Sequence, residues 1–315
     1  VVGKKEGEGP LGACFDIVEQ DDTFGETSWE KAESAMQGLA LRVALDKAMR
    51  PASALDVIFA GDLLNQCIAS SFAARGQKVP FLGLYGACST MAESLVLAAM
   101  AIDGGFASLT ASVASSHFCS AERQYRTPLE YGGQRTPTAQ WTVTGSGAVV
   151  LSQDGEGPWI THATIGRVVD KGVKDANNMG AAMAPAAYDT LTAHFADTGR
   201  RPSDYDLIVT GDLGSLGLEL LQDLFHMDGV EFSNLDDCGV RIYDAQSQDV
   251  HCGGSGCGCS AAVLTGQLLP RMREGRCRRL LFCGTGALLS PTSTMQGESI
   301  PGICHAVAFS ASKGG

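Results

Sequence analysis

Continuous apolar runs alternate with amphipathic stretches along the chain, and this pattern predicts strands and helices in turn. Residues 54–63 read ALDVIFAGDL and residues 204–213 read DYDLIVTGDL. Each run has the length and composition of one strand buried on both faces of a sheet. An amphipathic stretch precedes each run, at 28–48 and at 184–199. The pattern therefore predicts a helix followed by a strand, twice.

These two stretches belong to an internal duplication. Asp56 and Asp62 in the first match Asp206 and Asp212 in the second, 150 residues later. Self-similarity at a fixed offset is the sequence signature of a repeated structural unit. Because an aspartate recurs at the same turn of both halves, we expect Asp62 and Asp212 to brace their loops through side-chain hydrogen bonds rather than to act in chemistry.

A second pair of motifs occurs in the same order. GACS at 86–89 matches CGCS at 257–260, 171 residues later. The apolar stretches that follow predict helices over Thr90–Ile102 and Ala261–Arg273, each ending at an acidic residue followed by glycine, a common end signal. The strand segments ASLTASVAS and RRLLFCGTG come next. Each half therefore reads helix, strand, glycine turn, helix, strand.

Further apolar segments complete the two predicted sheets. TVTGSGAVVLSQ (142–153) and GICHAVAFS (302–310) are predicted to be the hairpin strands that finish each sheet. WITHATIGRVV (159–169) is predicted to begin the second half. The corresponding segment of the first half, PLGACFDIV (10–18), has no strand pattern, so we expect the first strand to lie upstream of Val1.

The duplication predicts an α/β fold with two similar halves, residues 1–157 and 158–315. Helices packed between and outside two sheets would form a five-layered αβαβα sandwich. The alternative is a single doubly wound sheet in which the two motif matches arise by chance. Two matched motifs in the same order favour the duplication.

Composition narrows the classes of partner. The net charge is −12, which argues against nucleic acid and against strong attraction to anionic lipid. It says little about a small anionic ligand, because a local group of donors can override the global sign. No apolar run reaches the roughly 18–20 residues of a membrane-spanning helix.

Eleven cysteines in a chain of this length do not indicate a disulfide scaffold. Cys257 and Cys259 are separated by one residue, which is the wrong spacing for a zinc site. The glycine-rich TGSGAVV matches neither the dinucleotide nor the phosphate-loop pattern. We expect no metal, no nucleotide and no cofactor.

Several motifs carry a family resemblance across residues 7–310. The duplicated halves, with a cysteine at a strand-to-helix turn, are similar to the thiolase and ketoacyl-synthase superfamily. The motifs that resemble the stage V sporulation protein AD family more closely are GDLLNQ, FGETSWEKAES, GACSTMAESL, TVTGSGAVVLSQ, MGAAMAPAA and GTGALLSPTS.

This resemblance implies a function in the spore. The family's ligand would be dipicolinic acid or its calcium chelate, taken up in sporulation and released in germination, without catalysis. The protein would lie peripherally at the forespore or spore inner membrane, beside the membrane channel subunits of the same system. Thiolase folds commonly form homodimers, and we expect pairing through a strand near residues 107–115.

Cys88 is the first candidate for chemistry. A thiol at a helix N-terminus faces unpaired N–H groups and the positive end of the helix dipole, which lowers the thiol pKa and favours the thiolate. Condensation also needs a proton acceptor and donors for an oxyanion. In the condensing enzymes that the chain resembles, a histidine follows the second-half strand, whereas GDLGSLG at 211–217 has none.

The second-half glycine turn, HCGGSGCGCS, also lacks a clear catalytic partner. His251 stands at its start and is predicted to precede the turn rather than point into the site. Ser255 and Gly256 are predicted to line a ligand site instead. Cys88 is then a pocket-lining residue in a site converted to binding, a catalytic nucleophile, or a plain core cysteine.

His117, Arg123 and Arg126 are the remaining candidates. His117 follows a predicted strand end, where α/β folds place ligands, and could supply a donor or a replacement base; the alternative is a structural histidine. Two arginines three residues apart suit carboxylates, and the alternative is a solvated surface pair. Two other function classes stay open: an acyl transferase or thioesterase using Cys88 with His117, and a structural scaffold that binds no small molecule.

Overall fold

The computed structural model describes residues 1–125 and 135–313. Within these residues the strands are β1 Val57–Gly61, β2 Phe81–Leu84, β3 Leu109–Ser116, β4 Trp141–Thr142, β5 Gly145–Ser152, β6 Trp159–Ile165, β7 Leu207–Thr210, β8 Leu235–Asp237, β9 Gly254–Ser255, β10 Arg279–Ala287 and β11 Gly302–Ser310. The α-helices are α1 Lys4–Gly7, α2 Trp29–Lys47, α3 Ile68–Arg75, α4 Thr90–Asp103, α5 Phe118–Tyr125, α6 Met179–Thr198, α7 Gly214–Met227, α8 Cys238–Ile242, α9 Cys257–Val263, α10 Leu269–Arg273 and α11 Pro291–Met295.

The two larger sheets have the same connectivity. The first has the order β2-β1-β3-β5, and the second has the order β6-β11-β10-β7-β8. In both, two parallel pairings are followed by one antiparallel pairing, of β3 with β5 and of β10 with β11. The predicted duplication is therefore visible as two sheets that share a strand order, apart from β6.

In the first sheet, the N-terminal residues of the chain take the position that β6 has in the second. Val2 forms an isolated antiparallel bridge with Gly145 at the start of β5, and Gly3 donates a backbone hydrogen bond to Thr144. Residues 10–18 contain a 3₁₀ turn at Gly12–Cys14 and a single bridging residue, Val18. Residues 10–18 form no strand, as expected, but the first strand was expected upstream of Val1, whereas Val1 to Gly3 themselves pair with the start of β5.

The long helices form where sequence signals define their ends. Helix α2 begins after Ser28, whose side chain accepts the N–H of Lys31. Helix α6 begins after Asn178 in the same way and ends at Gly199, which has a φ of +66°. The duplicated motif helices correspond to α4 and to a continuous helix in which a π-helical segment, Leu264–Leu268, joins α9 to α10.

The helices and sheets form five layers. Helices α2 and α3 cover the outer face of the first sheet, and α6 packs on the outer face of the second. Helices α4 and α9 lie between the sheets, and their buried side chains share one core with the inner faces of both. Met91, Leu264 and Phe282 are wholly buried there, and burial of each such side chain contributes about 1.5–3 kcal/mol.

One expectation about assembly is wrong. The predicted dimer strand near residues 107–115 is β3, which is hydrogen-bonded to β1 on one side and to β5 on the other. A strand paired on both sides has no free backbone groups to offer to a second molecule. The edge strands of this sheet are β2 on one side and β5 on the other, and Val2 bridges to the first residue of β5.

Candidate functional site

Cys88 lies in a tight turn between β2 and α4. Ala87 takes a left-handed conformation with a φ of +50°. The N–H of Ser89 donates to the carbonyl of Gly86, and the side chain of Thr90 accepts the N–H of Gly86. A Cβ atom on Gly286 of β10 would lie 2.5 Å from the Gly86 carbonyl oxygen, so glycine there lets the second sheet approach the turn. The cysteine is therefore fixed between the two halves.

Asp212 is the group that meets the thiol. It follows β7 directly and is wholly buried. The Cys88 thiol lies beside its carboxylate, close enough for each group to shift the pKa of the other. The N–H of Gly256 donates to Asp212 Oδ2 at 2.8 Å, the hydroxyl of Ser255 donates to the same oxygen at 3.2 Å, and the hydroxyl of Thr285 donates to Oδ1 at 2.9 Å. Predicted residues Cys88, Ser255 and Gly256 thus meet around a carboxylate.

The electrostatics of this group disfavour a thiolate. Burial, followed by the Asp212 charge, raises the pKa of Cys88 well above its ordinary value. Burial raises the pKa of Asp212 to about 6, while the Cys88 thiol and the hydrogen bond from Gly256 hold it down. The expectation of a lowered pKa for Cys88 is wrong, because loss of solvent and a neighbouring carboxylate outweigh the helix dipole.

The start of α9 converges on the same point as the start of α4. Gly256, the residue before α9, has a φ of +102°. A Cβ atom there would lie 2.6 Å from the hydroxyl of Ser116, at the end of β3. The N–H of Gly258 also donates to that hydroxyl at 3.2 Å. The amino ends of both central helices, one from each half, therefore face the buried Cys88–Asp212 pair.

Two tyrosines lie on the other side of the thiol. The hydroxyls of Tyr85 and Tyr125 are hydrogen-bonded at 2.9 Å, and the Tyr125 hydroxyl donates to the carbonyl of Leu63. Burial is the main cause that raises the pKa of both tyrosines, and the proximity of Cys88 adds to it. Tyr85 is 42% exposed, so this side of the site is where solvent comes nearest to the thiol.

His117 has contacts that fit its structural alternative. Its ring is wholly buried, with Nε2 2.7 Å from the carbonyl oxygen of Asp22 and Nδ1 accepting the N–H of Cys119. Because Nδ1 accepts, the proton is on Nε2 and donates to Asp22. Burial lowers the pKa of His117, which keeps the ring neutral. Both ring nitrogens are thus engaged with the backbone, and neither is directed to Cys88.

Arg123 lies apart from the cysteine, in a surface cavity of about 570 Å³. Its guanidinium forms an ion pair with Glu30. Gln124, which also lines this cavity, donates to the carbonyl of Leu63, and so does Tyr125. Arg126 lies outside the described residues. The predicted site residues therefore form one group around Asp212, with His117 and Arg123 outside it.

Asp62, the first-half counterpart of Asp212, has a bracing role. It accepts the N–H groups of Leu64 and Ser70 at 2.9 and 2.8 Å. Burial and the nearby Asp62 charge raise the pKa of Glu33, which accepts from Ser115 and Ser120. Sequence reasoning placed both aspartates in loops but missed that Asp212 meets the thiol. Asp212 follows the strand after which condensing enzymes carry their histidine, and this position was a signal in the sequence. That its side chain lies beside Cys88 depends on how the two halves pack.

The described residues contain neither a group of side chains arranged for a metal ion nor a helix suited to span a membrane. Among residues 1–125 and 135–313, no group of three or more His, Cys, Asp or Glu side chains is arranged to hold a metal ion. In the same part of the chain, no helix combines the length and the apolarity needed to cross a membrane.

Comparison with known proteins gives one family and one fold. A sequence model of the family described as stage V sporulation protein AD matches residues 1–310. Stage V sporulation protein AD of Bacillus subtilis (strain 168) is 47% identical over 308 residues, which cover 98% of this chain and 91% of the relative.

The solved structures that the chain resembles include a 3-oxoacyl-(acyl carrier protein) synthase III and OleA. The 3-oxoacyl-(acyl carrier protein) synthase III of Pseudomonas aeruginosa PAO1 superposes with a TM-score of 0.59 at 16% identity, covering 96% of this chain and 89% of that one. OleA of Xanthomonas campestris superposes with a TM-score of 0.60 at 15% identity, covering 88% and 79%. At such identities the likeness establishes the thiolase-like fold and carries no activity with it.

Proposed function

Since the chain belongs to the stage V sporulation protein AD family and so has a role in sporulation, we propose that it is a non-catalytic binding protein for dipicolinic acid or its calcium chelate. Binding would serve uptake in sporulation and release in germination. The protein would act beside the membrane channel subunits of the same system, at the inner membrane of the forespore or spore.

The observation that carries this proposal is that the Cys88 thiol lies beside the buried carboxylate of Asp212. A condensing cysteine needs a base that takes its proton and N–H donors that face an oxyanion. Here the thiol lies beside a carboxylate, and the N–H of Gly256 donates to that same carboxylate. The carboxylate therefore occupies the donors that catalysis would use, and it holds the thiol in its protonated form.

Asp212 also decides which form of the ligand fits. A free dipicolinate dianion beside an ionised carboxylate meets like-charge repulsion in a site of low dielectric. A calcium chelate brings a cation that prefers oxygen ligands, and Asp212 is an oxygen ligand. Protonation of Asp212, whose pKa is about 6, removes the repulsion for the free acid. We expect the chelate to be the preferred ligand at neutral pH.

A homodimer is also part of this proposal, now through β2. Residues Phe81–Leu84 form one edge of the first sheet, and Leu82 is 53% exposed. An exposed, apolar, unpaired edge strand favours pairing with another strand. A second copy that pairs through β2 would extend the sheet across the two molecules.

Calorimetry with a matched set of variants tests the binding proposal. We expect the wild-type protein to bind calcium dipicolinate, and Cys88→Leu, which puts a larger apolar side chain beside Asp212, to lose the heat of binding. Cys14→Ala serves as the control, because Cys14 is an exposed cysteine outside the group around Asp212. Thermal melting of each variant separates loss of binding from loss of fold. A wild-type protein that binds neither form at millimolar ligand contradicts the proposal and favours a scaffold.

Intact mass spectrometry tests the enzyme alternative. The protein is incubated with acyl-coenzyme A and, separately, with iodoacetamide. We expect no acyl adduct and slow alkylation at Cys88, because its pKa is raised, with faster alkylation at exposed Cys14. An acylated Cys88 that turns over would establish an acyl transferase or thioesterase instead.

A further inference from the structure

A dense group of arginines lies between α10 and β10. Five of nine consecutive residues are arginine, namely Arg271, Arg273, Arg276, Arg278 and Arg279, against one acidic residue, Glu274. All of them except the half-buried Arg271 are exposed. In a chain with a net charge of −12, this segment is a local reversal of sign.

The fold does not require these arginines, and the duplication provides the comparison. The corresponding connection in the first half runs from α4 to β3, and the backbone hydrogen bonds match the two at an offset of 170 residues. At the five matching positions it has Ala101, Asp103, Phe106, Ser108 and Leu109. Asp56 accepts the N–H groups of Ser108 and Leu109, just as Asp206 accepts those of Arg278 and Arg279. The same turn with the same backbone hydrogen bonds therefore forms without any cation.

Most of these guanidinium groups are not neutralised within the molecule. Arg276 pairs with Glu274. Asp206 is used by backbone N–H groups rather than by guanidiniums. Within residues 1–125 and 135–313, no ion pair or side-chain hydrogen bond engages the guanidiniums of Arg273, Arg278 and Arg279. These three cations are available to an external anion.

Exposed apolar side chains lie at the same end of the molecule. Gly286 lies against Gly86, and Gly284, two residues earlier in β10, lies against Ala92, so α4 runs antiparallel to β10. The carboxyl end of α4 and the turn after it are therefore at the end where β10 begins. In that region Met100 is 55% exposed and Phe106 is 90% exposed.

We propose that this surface, formed by Arg273, Arg278, Arg279, Met100 and Phe106 and called here the basic end, binds the headgroup region of an anionic lipid bilayer. Guanidinium groups match phosphate oxygens in geometry, and adjacent apolar side chains enter the boundary of the acyl chains. Basic residues near an anionic bilayer contribute separately to binding. The net charge of the chain argued against attraction to anionic lipid, but it is a sum over the whole chain and does not show this local basic surface.

Two features favour lipid over nucleic acid. Exposed Met100 and Phe106 gain from an apolar boundary and gain nothing from a phosphate backbone. Acidic side chains Asp103, Asp154 and Glu156 are exposed near the starts of the strands of this end and would oppose a long polyanion lying across it. These acids also predict that binding requires a bilayer rich in anionic lipid.

The basic end lies opposite to the group around Cys88. That group is at the carboxyl ends of β7 and β10, whereas Arg278 and Arg279 are at the amino end of β10. A molecule bound through the basic end presents its cysteine site away from the bilayer. The inference does not depend on the ligand of that site, so either proposal can fail without the other.

Flotation with phospholipid vesicles tests the inference. We expect the wild-type protein to float with vesicles of phosphatidylglycerol and not with vesicles of phosphatidylcholine, and added salt to weaken the association. The double variant Arg278→Ser, Arg279→Ser removes both charges, and its first substitution copies Ser108, the counterpart of Arg278 in the first half. We expect it to bind phosphatidylglycerol about tenfold more weakly, or worse.

A control variant removes the same charge elsewhere. Lys4 and Lys171 are exposed. Lys4 lies near Val2, which bridges to Gly145, and Lys171 lies near Val169, which bridges to Gly302. Both bridges are at the end of the molecule that carries Cys88. Lys4→Ala with Lys171→Ser should leave vesicle binding within about twofold of wild type, as distant charges are screened. Phe106→Ser should weaken binding without changing its salt dependence.

Three results would overturn the inference. The wild-type protein fails to float with phosphatidylglycerol vesicles, or the control variant loses as much binding as the arginine variant. The third is binding to duplex DNA that the arginine variant abolishes while vesicles are not bound, which would assign the basic end to nucleic acid.

Discussion

At the scale of single residues, one aspartate accounts for the behaviour of the site. Asp212 accepts the Gly256 N–H and the Thr285 hydroxyl and lies beside the Cys88 thiol, so burial and this neighbouring carboxylate keep a thiol at the start of a helix protonated. The sequence could predict that Cys88 lacks a histidine, since that follows from GDLGSLG alone. It could not predict the pKa of the thiol, because burial and the distance to Asp212 depend on how the two halves pack.

Replacement of Asp212 by asparagine should change how ligand binding depends on pH. For wild type we expect the affinity for free dipicolinate to fall as pH rises through about 6, because Asp212 ionises there and repels the dianion. Asp212→Asn carries no charge, so its affinity should be flat in this range and about tenfold higher than that of wild type near pH 8. Calorimetry across pH measures both.

Asp62→Asn is the control for this effect. Asp62 stands at the same turn of the first half and braces Leu64 and Ser70 without meeting Cys88. It should retain the wild-type pH profile, whatever its cost in stability. An Asp212→Asn protein whose affinity falls through pH 6 like wild type would show that another group sets the profile.

At the scale of elements, the sequence predicted most of the architecture. Motif pairs at constant offsets located both halves, and the predicted segment 302–310 coincides with β11. Periodicity identifies an element but does not say which strands are its neighbours, and so the predicted dimer strand fell on β3, which is interior. The π-helical segment at Leu264–Leu268 was also invisible, because it keeps the apolar pattern of the helix around it.

Close packing between elements makes particular glycines sensitive to substitution. A Cβ atom on Gly258 of α9 would lie 2.3 Å from the Gly145 carbonyl oxygen and 2.6 Å from the Ser116 nitrogen, both of them backbone atoms. Gly258→Ala should therefore lower the free energy of unfolding by about 3 kcal/mol. Chemical denaturation measures the change.

Gly38 provides a matched control in another helix. It lies inside α2, where an added Cβ would meet only the end of the Arg42 side chain, at 3.7 Å. Alanine is the better helix former by about 1 kcal/mol, so Gly38→Ala should be neutral or stabilising. Equal destabilisation by the two substitutions would contradict the account of α9 packing.

At the scale of the whole molecule, buried acidic side chains make the stability of the fold depend on pH. Burial raises the pKa of Glu6 and of Asp237 to about 7, and it also raises that of Glu33. These groups are neutral in the folded chain at a pH where they are ionised in the unfolded chain, so the folded state binds more protons. Such groups favour folding below their unfolded pKa values and lose that contribution as pH rises.

Stability should therefore decrease from mildly acidic to mildly alkaline pH. The contribution of Glu6 and Asp237 is present below about pH 4 and is lost as pH rises through their folded values near 7. We expect the Tm to be several degrees lower at about pH 8 than at about pH 5.5. Glu6→Gln should flatten part of the slope. A Tm that rises over this range would refute the assignment.

Assembly is tested at the free edge of the first sheet. Leu82→Lys puts a charge in the middle of β2, where edge-to-edge pairing would bury it, and should give monomers. Met227→Lys is the control, because Met227 is 82% exposed at the end of α7. Sedimentation velocity separates the two forms. A Leu82→Lys protein that remains a dimer would exclude β2 as the interface.

The position of Tyr85 gives the edge strand a further consequence. Tyr85 is the residue after β2, and its hydroxyl is hydrogen-bonded to Tyr125, beside the thiol. In a dimer joined through β2, each Tyr85 would lie both next to the dimer interface and beside the binding site. A ligand that displaces this tyrosine would strain the dimer interface. The two sites would then bind ligand cooperatively, with a Hill coefficient different from one.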